Sequence, residues 1–329
     1  MALSACIRST ANHTVIFYCT MSALSPLNRL AACRECPRGC GANRFKGPAG
    51  FCGTGAGFSV GAVCRHRGEE PVFGEHGVCN VFFTLCNLQC RYCQNFQISH
   101  KPRPEIAHEL TFQELAEKIR RILAEGSRHV GFVSPSHVFP QMEALMEELS
   151  RDHPEPLFVM NTNGYDLAAQ IRRLEGRMQV YLPDLKYMDQ DLANRFSGCP
   201  DYPAVAQAAL REMFRQKGPH LVLDSRGVLR SGLIIRHLVL PGQVENSKAV
   251  LRFIARELSP EVTVSLMAQY APIPAVAGDP ELGRRLSPAE YEEVLEELDR
   301  LGMENGWVQD LESQDHYCPD FARSHPFEK

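Results

Sequence analysis

The sequence lacks any apolar run of the about 18 residues that a membrane-spanning helix needs. Its early apolar stretch, Val15-Ile16-Phe17-Tyr18-Cys19, is far too short. A strong charge of either sign is also missing. The net charge of −4, from 35 Lys and Arg against 39 Asp and Glu, leaves no footprint for nucleic acid or an anionic membrane as partner. Acidic residues are absent from residues 1–32, where Arg8 and Arg29 stand among Ser and Thr. That composition suits an organelle transit peptide, and equally an extended start with Met21 as the true initiator. On either account residues 1–25 are expected to be poorly ordered, and 1–30 to lie outside the folded domains. What the chain does not lack is cysteine: it has 13 in 329 residues. A disulfide-stapled secreted domain is much smaller, so reduced cytoplasmic thiols serving metal chemistry are the expectation. A chain this long can bury roughly three quarters of its surface.

The thiols gather at one stretch, Val81 to Ser99. An apolar strand, Val81-Phe82-Phe83-Thr84-Leu85, delivers Cys86, Cys90 and Cys93 in C-x3-C-x2-C spacing, with Tyr92 between the last two. Thiolates are the ligands of iron–sulfur clusters. Three of them can hold three irons of a four-iron cluster and leave the fourth open, as a catalytic site requires. The competing reading is a zinc knuckle or scattered core cysteines. Zinc usually takes four ligands as two pairs, which three thiols on one loop fit poorly.

Residues 31–75 read as a Cys- and Gly-rich module with Cys33-x2-Cys36-x3-Cys40-x11-Cys52, and Cys64 beyond. Repeated Gly and Pro leave little room for regular structure. The four thiols could bind zinc or a second iron–sulfur cluster; the alternative is a coil with free buried cysteines.

From residue 76 to 310 strands and helices alternate. Strands are expected at 78–85, 129–134, 157–160, 178–182, 233–240 and 262–267. Helices are expected at 111–125, 139–149, 166–174, 202–215, 247–257 and 287–301, the last entered through Ser287-Pro288 as cap and first helical residue. Leu115, Ile119, Ile122 and Leu123 share one helical face, as do Met142, Leu145, Met146 and Leu149. Such alternation predicts parallel βα units with right-handed crossovers. The polar clusters fall at strand C-termini, the rim on which βα barrels carry their active sites. Residues 311–329 form a tail.

The thiol loop after a strand resembles the radical S-adenosylmethionine (SAM) superfamily. The resemblance extends over about residues 30–320, and is to proteins described as related to pyruvate formate-lyase activating enzyme. Its marks are C-x-x-C-P-R-x-C (Cys33–Cys40), H-x-G-E-E-P (His66–Pro71), C-Q-N-x-x-I-S (Cys93–Ser99), N-x-x-G-Y (from Asn161), D-x-K-Y (Asp184–Tyr187), R-H-L-V-L-P-G (Arg236–Gly242), M-x-Q-Y (Met267–Tyr270) and the tail Trp307–Asp310. The usual G-S-G before the first strand reads Gly77-Val78-Cys79 here, which questions the tight backbone approach that glycine permits. The resemblance implies an α/β fold, a partial (βα)6 TIM-like barrel. It implies a [4Fe-4S] cluster on Cys86, Cys90 and Cys93 whose open iron is chelated by SAM, with Tyr92 against the cluster loop.

By the same resemblance, Asn161, Asn163, Asp184 and Lys186 contact SAM and help bind a monovalent cation. Arg236 and His237 alternate faces, so one of them points inward; a guanidinium there would hold a carboxylate, and a lone His is as often a core residue. The family's G-G-E segment at strand two reads Ser134-Pro135-Ser136-His137, with no acid. Ser134, Ser136 and His137 are the candidates to replace it. Three functions follow. The first is hydrogen abstraction that activates a glycyl radical enzyme, with a flavodoxin or ferredoxin as reductant and a protein as substrate. The second is the same chemistry on a small molecule or another protein, since fold does not fix substrate. The third is a non-catalytic iron–sulfur or zinc protein.

Overall fold

The computed structural model describes residues 24–101, 104–315, 318–323 and 325–327. The strands are β1 (Phe58–His66), β2 (Val78–Phe83), β3 (His108–Leu110), β4 (His129–Val133), β5 (Leu157–Thr162), β6 (Val180–Pro183), β7 (Val222–Leu223), β8 (Leu229–Leu238), β9 (Thr263–Met267) and β10 (Gly306–Val308). The helices are α1 (Phe96–Ser99), α2 (Phe112–Ala124), α3 (Phe139–Leu149), α4 (Ala168–Arg173), α5 (Gln190–Ser197), α6 (Tyr202–Lys217), α7 (Val244–Phe253) and α8 (Pro288–Arg300). Strand order is β10-β9-β8-β6-β5-β4-β2-β1-β3, with β7 on β8. From β2 through β9 this path is parallel, β10 adds a parallel strand, and β1 and β3 are antiparallel at the other end. The path does not close on itself, so the fold is a partial barrel of six expected βα strands with extra strands at both edges.

Parallel strands covered by crossover helices are buried on both faces, and all six residues of β2 are buried. Alternate side chains separate two layers. Val81, Phe83, Val130, Phe132, Phe158, Met160, Ile235 and Leu266 face outward and pack with Leu115 and Ile119 of α2 and Met142 and Leu145 of α3. Inward, Val78, Val159, Val180, Leu182 and Ile234 form a separate cluster with Phe73. Phe73 belongs to the loop between β1 and β2. His66 pairs with Val78 at the start of β2, so that loop lies at the N-terminal end of the barrel and stops its floor. Gly77 makes the return possible: at φ +59, a Cβ there would stand 2.1 Å from the His66 carbonyl oxygen.

α2 starts at a Thr111–Glu114 capping box and α8 at a Ser287–Glu290 box, each satisfying orphan N–H groups reciprocally. The expectation for the opening residues falls mainly on 1–23, outside the described residues. Ser25–Ala32 form a 3-10 helix with Pro26 and Leu30 buried, and Arg29 pairs with Glu143 of α3. The tail is likewise part of the wall. Phe321 and Phe327 pack on Phe82, with ring centroids 5.3 and 5.6 Å away. Among the described residues, no helix is long and apolar enough to cross a membrane.

Candidate active site

The C-terminal rim of the barrel opens onto a cavity of about 450 Å³. Cys86, Cys90, Tyr92 and Cys93 line it, with Ser134, Asn161, Asn163, Asp184, Lys186 and Arg236. Two non-glycine residues among those described have left-handed backbone, Leu85 (φ 64) and Ser134 (φ 49). They end β2 and β4 at this cavity, and such strain concentrates at functional sites. Leu85 turns the chain so that Cys86 enters the cavity, and its N–H is fixed on the Ile98 carbonyl at 2.7 Å.

Each loop thiol has its own donor. Asn163 Nδ2 reaches Cys86 Sγ at 3.3 Å and the Leu88 N–H reaches it at 3.4 Å. Ser197 Oγ donates to Cys90 Sγ at 3.0 Å. Ser99 Oγ lies 3.2 Å from Cys93 Sγ. Burial and the neighbouring thiols push Cys86 up to about 12, and burial pushes Cys90 up to about 11. Neighbouring sulfurs that disfavour one another's charge are poor anions alone and good ones around bound cations. The donor set therefore fits the three-thiolate ligation of an iron–sulfur cluster.

Tyr92 and Tyr187 hydroxyls are 2.6 Å apart, and Tyr187 is 2.7 Å from Ser197 Oγ. Lys186 Nζ donates to Asp184 Oδ2 at 2.5 Å. Burial alone would lower the Lys186 pKa, but Asp184 and the thiols of Cys90 and Cys93 hold it above the usual lysine range. The ammonium is thus a positive charge at Asp184, beside that of Arg236. Gly164 lets the β5 and β6 ends touch: at φ +80, a Cβ would fall 2.2 Å from the Asp184 carbonyl oxygen.

Below the rim, Arg236 Nη1 pairs with Glu69 Oε2 at 3.2 Å and its Nε lies 3.5 Å from Glu70 Oε1. Asn80 Nδ2 donates to Glu69 at 2.8 Å. Burial would raise the Glu69 pKa, but Arg236, His66 and the Asn80 and Asn161 amides hold it below the usual range; burial leaves Glu70 above it. Glu69 and Glu70 line the cavity and were given no role by sequence reasoning. The floor loop thus brings two acids to a cavity whose strand-two segment has none. The available signal was the H-x-G-E-E-P motif, whose carboxylates lie far from the thiol loop's other partners in sequence.

Ser136, His137 and His237 are not among the lining residues. Ser136 Oγ is 3.2 Å from Thr162 Oγ1, and His137 Nε2 is 2.9 Å from the Thr84 carbonyl oxygen. His237 points to the outer face, with Nδ1 2.6 Å from the Leu185 carbonyl oxygen and Nε2 2.8 Å from Ser247 Oγ. Burial pushes both imidazoles down to about 4, which keeps them neutral.

The family model "Radical SAM superfamily" matches residues 80–254, more than half of the chain. The chain belongs to the radical SAM superfamily. A Methanocaldococcus jannaschii protein, "Uncharacterized protein MJ0674", is 28% identical over 277 residues, covering 83% of this chain and 75% of that one. The FeFe-hydrogenase maturase HydG from Carboxydothermus hydrogenoformans is similar in fold, with a TM-score of 0.50 at 11% identity over 70% of this chain and 53% of that one. A domain of pyruvate-formate lyase-activating enzyme from Bacteroides vulgatus aligns over 52% of this chain and 93% of that one, at 16% identity and a TM-score of 0.39. Membership makes the chain a radical SAM enzyme, with a [4Fe-4S] cluster and SAM as the cofactors its family implies.

Proposed function

We propose that Cys86, Cys90 and Cys93 hold the [4Fe-4S] cluster and that the cavity beneath them binds SAM and a substrate C–H. When bound, these cofactors supply a 5′-deoxyadenosyl radical by one-electron cleavage of SAM. The chain's own residues do the positioning. Asn163, Ser197 and Ser99 orient the three thiolates. Lys186, held charged by Asp184, offers an ammonium to a carboxylate, and Ser134, Asn161 and the Glu69 carboxylate offer acceptors to an amine. The barrel walls exclude water from the reacting carbon. The observation that carries this reading is that three thiols and these polar groups line one cavity at the C-terminal rim.

The substrate we favour is a glycine-bearing segment of a partner enzyme, with a flavodoxin or ferredoxin as electron donor in the cytoplasm. Its support is the resemblance of Asn161–Gly164, Asp184–Lys186 and Arg236–Gly242 to activase segments. A second reading, a small-molecule substrate, is favoured by the floor that Phe73 stops, since blind pockets of this volume suit small ligands. The test is anaerobic reconstitution with SAM and dithionite, quantifying 5′-deoxyadenosine. Wild type forms it and Cys90→Ala does not; equal formation by both sinks the cluster assignment. A glycyl radical signal on a co-encoded partner decides for the first substrate, and its absence for the second.

A further inference from the structure

A second set of thiols lies outside this cavity, in the segment before β1. Residues 33–57 contain only a three-residue 3-10 turn, Arg44–Lys46, and two isolated β-bridges, so regular structure does not hold them. The bridges close two knuckles. In the first, Cys33 N–H bonds the Ala42 carbonyl and Gly41 N–H bonds the Cys33 carbonyl, both at 2.8 Å. It carries Cys33, Cys36 and Cys40. In the second, Ala49 pairs with Thr54 around Cys52. The two are pressed together, because a Cβ on Gly50 would stand 2.6 Å from Cys40 Sγ. Cys36 lies in the field of all three other thiols. None of the four forms a disulfide.

The charges beside this set are mainly cationic, with Glu35, which pairs with Arg29 and Arg173, as the acid between Cys33 and Cys36. Arg44 is 1% exposed. Its guanidinium bonds the Thr54, Gly55 and His137 carbonyls and lies 3.7 Å from Cys33 Sγ. Arg38 Nη2 is buried with no hydrogen-bond partner, and Lys101 Nζ sits 3.6 Å over the Phe51 ring. Among the described residues, none of these three cations pairs with a carboxylate. Arg44 is the buried one of the three and acts on the Glu35 carboxylate; a thiolate-bound metal centre would add countercharge for all three. Among the described residues, no three donors already converge to hold a single metal ion, at the head or at the rim loop. A lone zinc with bonds near 2.3 Å would gather its sulfurs tightly, whereas a four-iron cluster spreads its four cysteines.

We propose that Cys33, Cys36, Cys40 and Cys52 hold a second iron–sulfur cluster, with Arg38, Arg44 and Lys101 as its cationic surround. Arg38 ties this centre to the rim loop, since its Nε donates to the Asn87 carbonyl, next to Cys86, at 3.0 Å. The inference does not depend on the SAM reading. The test is full-length protein reconstituted without oxygen, assayed for iron, sulfide and zinc. Wild type, a Cys36→Ser/Cys52→Ser pair and a Cys86→Ala/Cys90→Ala/Cys93→Ala triple are compared. The expected result is about eight irons in wild type and about half lost in each variant. The triple keeps the head intact, so its remaining irons, with the paramagnetic signal of a reduced cluster, report on the head even if the pair misfolds. An iron-free triple overturns the proposal, and so does about one zinc per chain lost with the pair. Iron that survives in the triple but is unchanged from wild type would instead sink the rim-loop assignment.

Discussion

Replacing Arg236 by Met should expose how much the barrel interior depends on one guanidinium. Arg236 is 17% exposed and faces the Glu69 and Glu70 carboxylates, 8% and 5% exposed. Charges about 4 Å apart attract by about 4 kcal/mol at an effective dielectric near 20. Losing two such attractions is partly offset because a guanidinium no longer has to be desolvated. Removing one side of a buried pair costs about 3–5 kcal/mol, and that is the loss expected at pH 8. The pH dependence follows in sign. Without Arg236, burial raises both carboxyl pKa values above their unfolded values near 4.5. Protonation then stabilises the fold, so the deficit is small near pH 4.5 and grows as pH rises toward the raised values. Urea unfolding of the apoprotein at pH 5 and pH 8 reads this directly. The triple variant Arg236→Met/Glu69→Gln/Glu70→Gln should recover much of the loss, since it leaves no buried charge behind. An Arg236→Met protein as stable as wild type at pH 8, or one whose deficit shrinks as pH rises, refutes the reasoning.

Gly164→Ala should lower stability by about 1–3 kcal/mol, because its Cβ meets the Asp184 carbonyl; it should also weaken SAM binding measured by calorimetry on the reconstituted protein. His237 has a folded pKa near 4 against about 6.5 unfolded. Its contribution is therefore complete above pH 6.5 and is lost as pH falls toward 4. Wild type should lose about 2 kcal/mol more than His237→Gln between pH 7.5 and pH 5, and parallel urea midpoints for the two proteins would contradict this.

The barrel strands were legible because parallel strands between helices read as near-continuous apolar runs, such as Val78–Phe83 and His129–Val133. The thiol loop was legible because its three cysteines are local in sequence. Arg236 and His237 could be told apart only as alternatives: strand alternation puts one of them inward, and the register with Asp184 decides for Arg236. Ser136 and His137 looked equivalent to Ser134, but the left-handed turn at Ser134 keeps it on the cavity and sends the next residues beneath it. Glu69 and Glu70 were missed for a different reason. Their place depends on a loop that folds back through the barrel floor, and that return depends on Phe73 finding an apolar cluster drawn from four strands. β1 was hidden by the Gly- and Cys-rich composition around it.

The hydroxyl chain behind the rim loop has an electrochemical meaning. A thiolate at Cys90 can only accept, so Ser197 must donate to it, Tyr187 to Ser197, and Tyr92 to Tyr187. Each O–H of the chain then donates in the direction of that sulfur. Such donation draws electron density from the ligand and favours the more reduced form of whatever the ligand holds, and hydrogen bonds to sulfur are among the levers that set cluster potentials. If Cys90 holds the proposed cluster, two tyrosines and a serine, none of them a ligand, would bias how readily it accepts an electron. The voltage demanded of an electron donor would then be set partly by the packing of α5 against the end of β6.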